Sequence, residues 1–370
     1  MTNMKSDTYT YPRITGFRDL QTISFTTYYG MKDCIIKGLP HRCIAFTPKA
    51  PIFHKNRQQL LGILYHRMLE EVKETRLLPI NERADKLRQT LQRQCLAIEE
   101  SNINNPYLKN INFLELPEIG ILFRNVSNII FGLTNKNQNQ LETNIEISLT
   151  SSDKQLTGIL DVLQKQDSAW YITEHKSGRI YENNTIKSKF YLQAHFYAQL
   201  VYEAYGSYPK NVTISGLDGT SQIEPDLNIS TDIAHDARRI IKVYNKGRAS
   251  EKIQSLANSS ANNCGDCNYQ AFCENYWSSF FSINISTPRA IRFKLLETIN
   301  LKSNRINLRV SLLNTQIKNQ YILSDYYPNK YQDLELIPNR EYIATKVILN
   351  SQTNTGNLTN NNSMYRLTHE

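Results

Sequence analysis

Asp161, Glu174 and Lys176 are the residues of this chain whose types and spacing best suit chemistry. Asp161 falls in one expected strand, TGILDVL (157–163). Glu174, His175 and Lys176 fall in the next, AWYITEHK (169–176), and QKQDS (164–168) reads as the turn between them. Side chains alternate along a strand, so Glu174 and Lys176 share a face and His175 takes the other. If the strands pair about that turn, Asp161 approaches Glu174. Two carboxylates at close range repel unless a cation offsets the charge. Oxygen ligands favour a hard ion, Mg2+ or Mn2+. A lysine beside the pair can position or deprotonate a water, which is equipment for metal-assisted attack on a phosphodiester. Taken alone, a Glu-x-Lys is also what an ordinary exposed strand pair looks like.

A second group has metal-ligand spacing. Six cysteines occur, at 34, 43, 95, 264, 267 and 273, and three of them form Cys264-x2-Cys267-x5-Cys273. Thiolates this close in sequence hold a metal or an iron–sulfur cluster; the alternative is three unrelated buried thiols. A tetrahedral set needs a fourth ligand. If it is also a thiolate, it comes from Cys34, Cys43 or Cys95 and ties distant parts of the chain together. Gln193 and Tyr197 stand i, i+4 on the helix expected after the hairpin and share a face. There an amide and a phenol could bind phosphate or base, or orient the lysine, although a surface Gln and a half-buried Tyr look the same. His66 flanks an apolar stripe of Leu60, Leu64 and Met68, where a lone histidine reads first as structural.

These groups must be positioned by elements that the hydrophobic period outlines. Residues 1–20 read as an irregular lead-in. Apolar residues at 60, 61, 64, 68, 69 and 72 have helical spacing, and Glu82 to Glu100 reads as a second, polar helix. From Ser101 to Gln140 the pattern is mixed, and 135–140 reads as a surface loop. LETNIEISL (141–149) precedes the hairpin as a strand, Lys189 to Tyr205 is helical, and NVTISGL (211–217) is another strand. Asp232 to Ala257 is a basic helix with Arg238, Arg239, Lys242, Lys246 and Arg248. It reads as a DNA path or as a solvated face. After Ser286, five short strand-like runs suggest a small barrel, of OB type. The expectation is an α/β domain over 1–285 and a small β-barrel domain over 286–370.

The 370 residues carry 43 Lys+Arg against 34 Asp+Glu, a net charge of +9 with a pI near 9.1. That balance suits a polyanionic partner or plain solubility. A hydrophobic content of 40% excludes a disordered chain. No run reaches the length of a membrane span, and MTNMKSDTYTYPR lacks a signal peptide's apolar core. A soluble, cytoplasmic protein in a reducing compartment is expected, which argues against disulfides.

Read in order, the motifs resemble the RecB-type branch of the PD-(D/E)XK nucleases, which includes the AddB nuclease domain and the RecB-like CRISPR-associated exonucleases. LGILYHRMLE (61–70) is similar to that branch's G-x-x-x-H, with Gly62 and His66. GILD (158–161) is similar to its G-x-x-D, EHK (174–176) to its (D/E)-x-K and QAHFY (193–197) to its Q-x-x-x-Y. CGDCNYQAFC (264–273) resembles the trailing cysteines of its iron–sulfur members. The resemblance runs from about Ser24 to Tyr276 through motifs.

The resemblance implies a restriction-endonuclease-like mixed sheet flanked by helices. It implies that His66, Asp161, Glu174 and the backbone carbonyl of His175 ligate the catalytic Mg2+ or Mn2+. Lys176 would orient or activate the attacking water, and Gln193 and Tyr197 would steady Lys176 and the DNA strand. It implies a mainly structural [4Fe–4S] cluster with a distant N-terminal cysteine as fourth ligand. SFTTYYGMKDCIIK (24–37) resembles the branch's pattern around that cysteine and favours Cys34, although Ile35 stands where a proline is usual. Cys43 stays open as the alternative, and Cys95 reads as structural. Glu146 precedes the hairpin where the family often has a glutamate, and both a site role and a bland one stay open. Glu70 could support His66 but reads first as a solvated charge. Barrel tyrosines 321, 326 and 327 could stack single-stranded DNA or fill a core.

The implied function is a metal-dependent DNA nuclease, a single-strand exonuclease of repair, recombination or defence. The alternative is a DNA-binding nuclease-fold subunit of a larger helicase or CRISPR-associated complex. The chain has no Gly-x4-Gly-Lys-Ser/Thr loop, so a motor would be a separate protein. A zinc-stapled binding protein without catalysis is the third reading.

Overall fold

The computed structural model describes residues 13–47, 55–102, 108, 111–132, 142–265, 267–278, 289–301, 305–313, 320–326, 334–350, 352–358 and 364–367. The loop expected at 135–140, Tyr327, and the boundary expected at 285/286 lie outside the described residues.

The chain opens with β1 (Arg13–Phe17), β2 (Ile23–Ser24), α1 (Phe25–Asp33) and β3 (Ile44–Thr47), with β1 antiparallel to β3. The lead-in is therefore not wholly irregular. Three helices follow: α2 (Arg57–Thr75), α3 (Ile80–Ser101) and α4 (Pro117–Gly132). Asn56 and Gln59 start α2 with a reciprocal capping box, which satisfies two of its free N–H groups. The apolar positions that set its period (60, 61, 64, 68, 69 and 72) are all buried, together with Tyr65 and Thr75. They pack on Leu87, Leu91, Phe113 and Val126 in a core of their own, and Cys95 lies inside it as a structural thiol.

The central sheet is built from β4 (Glu142–Thr150), β5 (Leu156–Gln166) and β6 (Ala169–His175). After a small hairpin, β7 (Tyr181–Glu182) with β8 (Thr185–Ile186), come α5 (Ser188–Tyr205), β9 (Pro209–Gly216), β10 (Gly219–Ile223) and α6 (Leu227–Ala249). Strand order is β10-β9-β6-β5, with β2 and β4 both paired to β5. β6 runs parallel to β9 and β2 parallel to β5; the other pairs are antiparallel, so the sheet is mixed. β5 is buried almost continuously from Leu160 to Leu163, as expected of a strand covered on both faces. The hairpin turn is tighter than expected. The strands run on to Gln166 and Ala169, and Asp167 and Ser168 make the turn with φ of +49° and +65°. Positive φ at both positions gives the turn that matches the strands' right-handed twist.

The basic helix carries little free charge at three of its five cations. Arg238 bridges Asp153 and Glu203, Arg239 pairs with Asp236, and Arg248 with Asp19. Arg238 and Arg248 thereby tie the helix to other segments, while Arg239 pairs within it.

Six strands complete the described chain: β11 (Arg289–Asn300), β12 (Ile306–Leu312), β13 (Gln320–Tyr326), β14 (Glu341–Asn350), β15 (Thr355–Leu358) and β16 (Met364–Arg366). Pairing runs β11-β12-β13-β15-β14 and closes from β14 back to β11. The β13–β15 pair is parallel. This closed five-strand order is that of an OB-type barrel. The fifth ring strand is β15, whose TGNL sequence gives no strand signal; the expected SMYRLTHE run supplies β16, outside the ring. Tyr321 and Tyr326 are buried and fill the barrel, so these two offer no stacking platform.

Gly158 lets α5 reach the sheet. A Cβ there would stand 2.9 Å from both Tyr197 Cε1 and Leu200 Cδ1. Gly62 on α2 is different, because an added Cβ meets only Ser177 Oγ, at 3.7 Å. We expect Gly158→Ala to cost about 1–3 kcal/mol by overpacking and Gly62→Ala to be neutral or stabilising by up to about 1 kcal/mol. Urea unfolding of both variants checks this, and equal midpoints would contradict it.

Candidate active site

The site forms where β5 and β6 part. Their ladder ends at Val162–Thr173. Beyond it, side chains take over the backbone's hydrogen bonds. The Asp161 N–H donates to Glu174 Oε1 at 3.1 Å, and the His175 N–H donates to Asp161 Oδ2 at 2.6 Å. Each carboxylate thus satisfies a donor that the separated strands would strand in the interior. Both acids are essentially fully buried.

On the other side of β5, the ladder with β4 is intact at Ile145–Val162 and Ile147–Leu160 but is not made at Glu146–Asp161. Glu146 has φ +49°, a left-handed backbone that a glutamate adopts only under constraint. Its Oε1 lies 2.9 Å from His66 Nδ1, and the same nitrogen lies 3.3 Å from Asp161 Oδ1. His66 is placed there by α2, one helical turn on from Gly62. Among the described residues, His66, Glu146 and Asp161 are the one group of three metal-ligating residues with ligand atoms within 4.8 Å of one another.

Glu174 stands beside this group, and both its oxygens are engaged: Oε1 by the Asp161 N–H, Oε2 by Lys176 Nζ at 3.0 Å. The tight group therefore contains Glu146 in addition to the expected His66 and Asp161. Gln193 Nε2 reaches Glu174 Oε2 at 3.4 Å, and Tyr197 is hydrogen-bonded to Gln193. Gln193 thus holds the same oxygen that Lys176 holds, and Tyr197 acts one step further back. The Lys176 N–H is fixed to Ser215 O at 2.7 Å. The His175 ring packs on Tyr65, with centroids 5.1 Å apart. Its two nitrogens and the Tyr65 hydroxyl are buried without a hydrogen-bond partner among the described residues.

Burial drives the electrostatics. It pushes Glu174 up to about 7, and the neighbouring Asp161 charge adds to this. Burial also raises Asp161, against the opposing charges of Lys176 and His66. Lys176 would be lowered by burial, but Glu174 and Asp161 reverse that and hold it protonated. The Glu146 hydrogen bond raises His66 to about 8, while burial lowers His175 to about 4. Among the described residues, the buried Asp161 Oδ1 has no hydrogen bond. Carboxylate oxygens and one imidazole around an unsatisfied buried oxygen fit a hard divalent cation.

Cys34, Cys264, Cys267 and Cys273 act on one another electrostatically. Cys34 raises the thiols of Cys264, Cys267 and Cys273, in each case adding to burial, which takes Cys267 to about 12 and Cys273 to about 11. Among the described residues, no three thiols come within 4.8 Å of one another. Cys34 Sγ accepts from the Asn258 N–H and Cys267 Sγ from the Tyr269 N–H, both at 3.4 Å. Backbone hydrogen bonds at Ser260, and at Asn275 and Tyr276, act likewise on Cys264 and Cys273. Cys43 behaves oppositely, donating its S–H to Asp19 O at 3.9 Å.

Glu174 yields a pH prediction for the metal-free protein. Its pKa rises on folding from 4.5 to about 7. The folded state then binds the proton more tightly, so the stability linked to it is complete below pH 4.5 and is lost as pH rises through about 7. Glu174→Gln removes that loss. Metal-free variant should gain on wild type across this window in urea midpoint; a constant difference would contradict it.

No helix among the described residues is long and apolar enough to cross a membrane. Comparison with curated proteins returns no match. Comparison with protein families matches residues 41–274 to the PD-(D/E)XK nuclease superfamily. The matched span holds His66, Glu146, the whole hairpin, Gln193, Tyr197 and the three trailing cysteines, and covers well over half of the chain. Membership implies metal-dependent cleavage of phosphodiester bonds, with Mg2+ or Mn2+ as cofactor and DNA as substrate. The chain belongs to the PD-(D/E)XK nuclease superfamily.

Proposed function

We propose that the chain is a cytoplasmic, RecB-like exonuclease acting on single-stranded DNA, with a nuclease domain over 1–285 and the barrel domain over 286–370. The observation that carries the catalytic reading is the convergence of Asp161, Glu174 and Lys176 where the hairpin parts, with His66 and Glu146 closing the far side. His66, Asp161 and Glu146 would hold the ion, with Glu174 and the His175 carbonyl at its edge. A bound Mg2+ or Mn2+ neutralises the carboxylates, polarises the phosphate and lowers the pKa of a water. Lys176, kept protonated by its acidic neighbours, serves as a donor that orients the attacking water and offsets charge developing on the phosphate. Gln193 keeps Glu174 Oε2 in place for that lysine, and Tyr197 keeps Gln193. The preference for single strands and free ends follows the resemblance to the RecB-type branch.

We further propose that Cys34, Cys264, Cys267 and Cys273 hold a [4Fe–4S] cluster. The four sulfurs accept backbone N–H groups, the pattern of thiolate ligands. Cys43, a donor to a carbonyl, is occupied as a thiol.

Labelled single-stranded DNA incubated with Mn2+ should be degraded when linear and left intact when circular, and Lys176→Ala should lower the rate by about 10²–10⁴-fold. Cleavage of circles would contradict the exonuclease reading, and an active Lys176→Ala variant would contradict the site. Cys34→Ser should lose iron and thermal stability while Cys43→Ser keeps its iron. Iron retained in Cys34→Ser would refute the assignment.

A further inference from the structure

Lys346 is a barrel residue with a left-handed backbone, at φ +55°. The β11–β14 ladder shows why. Ile291 pairs with Ala344 and Arg289 with Val347, so β14 carries one residue more than β11 between these pairs. An extra residue of this kind re-aims a side chain, and a non-glycine held at positive φ is constraint stored for a purpose or compensated elsewhere. Here the re-aimed side chain leaves the barrel. Lys346 Nζ donates to Gly265 O at 3.2 Å, between Cys264 and Cys267. Its charge reaches the Cys267 thiol and opposes the upward push of burial there.

The rest of the barrel presses on the same segment. Tyr276 Oη donates to Ala290 O at 2.7 Å. The Arg292 guanidinium lies 4.4 Å from the Trp277 ring centroid, and Tyr365 meets Phe272 edge-on. From the N-terminal part of the chain, Lys37 Nζ donates to Asn262 O at 3.4 Å. Two ammonium groups from distant parts of the chain thus attach to the backbone of one cysteine segment.

Four thiolates around a cluster leave a net negative charge in a buried place. A nearby cation favours the state with one more electron, so it raises the reduction potential, as do hydrogen bonds to the ligand segment. We propose that Lys346 belongs to the four-cysteine centre as its charge-balancing residue, projected by the β14 bulge, so that the barrel completes the centre's environment. The inference rests on the cluster reading above. Lys346 is a positioning and tuning residue and touches no substrate.

The test is a redox titration of the full chain, purified anaerobically and followed by electron paramagnetic resonance. Wild type, Lys346→Met and Lys346→Arg are compared, with iron counted in each. The expected result is equal iron in all three, a more negative midpoint in Lys346→Met, and a midpoint near wild type in Lys346→Arg. A simple loss of packing would leave the arginine variant as displaced as the methionine one. Should Lys346→Met fail to retain iron, Lys346→Gln, which keeps a donor and no charge, replaces it in the titration. Equal midpoints with iron retained would overturn the inference and leave the cluster reading standing. A wild-type chain that takes up no iron would overturn the cluster reading and this inference together.

Discussion

Two carboxylates share an interior where neither has water. Asp161 and Glu174 stay ionisable there because each accepts a backbone N–H that the parting strands leave without a partner. The exchange works in both directions. The strands can separate only because the side chains replace the lost ladder bonds, and the side chains are fixed because the strands need them. A protonated lysine and a histidine flank the pair, and among the described residues Asp161 Oδ1 accepts no hydrogen bond. Carboxylate oxygens and an imidazole gathered around that oxygen fit a hard divalent cation.

Much of the fold serves to hold that geometry. β5 must be central, since it carries Asp161 and meets β4, β6 and β2. α5 must lie close, since Gln193 and Tyr197 act through it, and Gly158 is what lets it approach. α2 must cross over β4, since His66 and Glu146 close the far side of the ion position. The helical layer of α2, α3 and α4 has its own core, so His66 is carried by a rigid body rather than by a loop.

The elements with strong period were legible in the sequence. The buried face of α2, the hairpin, α5 and four barrel strands follow from spacing and composition alone. What was left open or missed depends on register or on backbone strain. Glu146 enters the site because it stands across from Asp161 in an unpaired, left-handed position, and no hydrophobic pattern reports that. β15 is four residues of polar and small character, held by its neighbours. Two arginines of α6, Arg238 and Arg248, find acidic partners in the remote Asp153 and Asp19, pairings that no local charge pattern reports. Tyr321 and Tyr326 have the composition of a stacking surface and the placement of a core. Among the cysteines, spacing singled out three; that Cys34 Sγ accepts a backbone N–H while Cys43 donates to a carbonyl is a contrast that spacing does not report.

The central claim is that the parted hairpin is built around one hard cation. Crystals soaked in Mn2+ and measured at its absorption edge address this directly. The account predicts an anomalous peak bounded by Asp161, Glu146 and His66, beside Glu174. A peak only elsewhere, or none at saturating Mn2+, would contradict it.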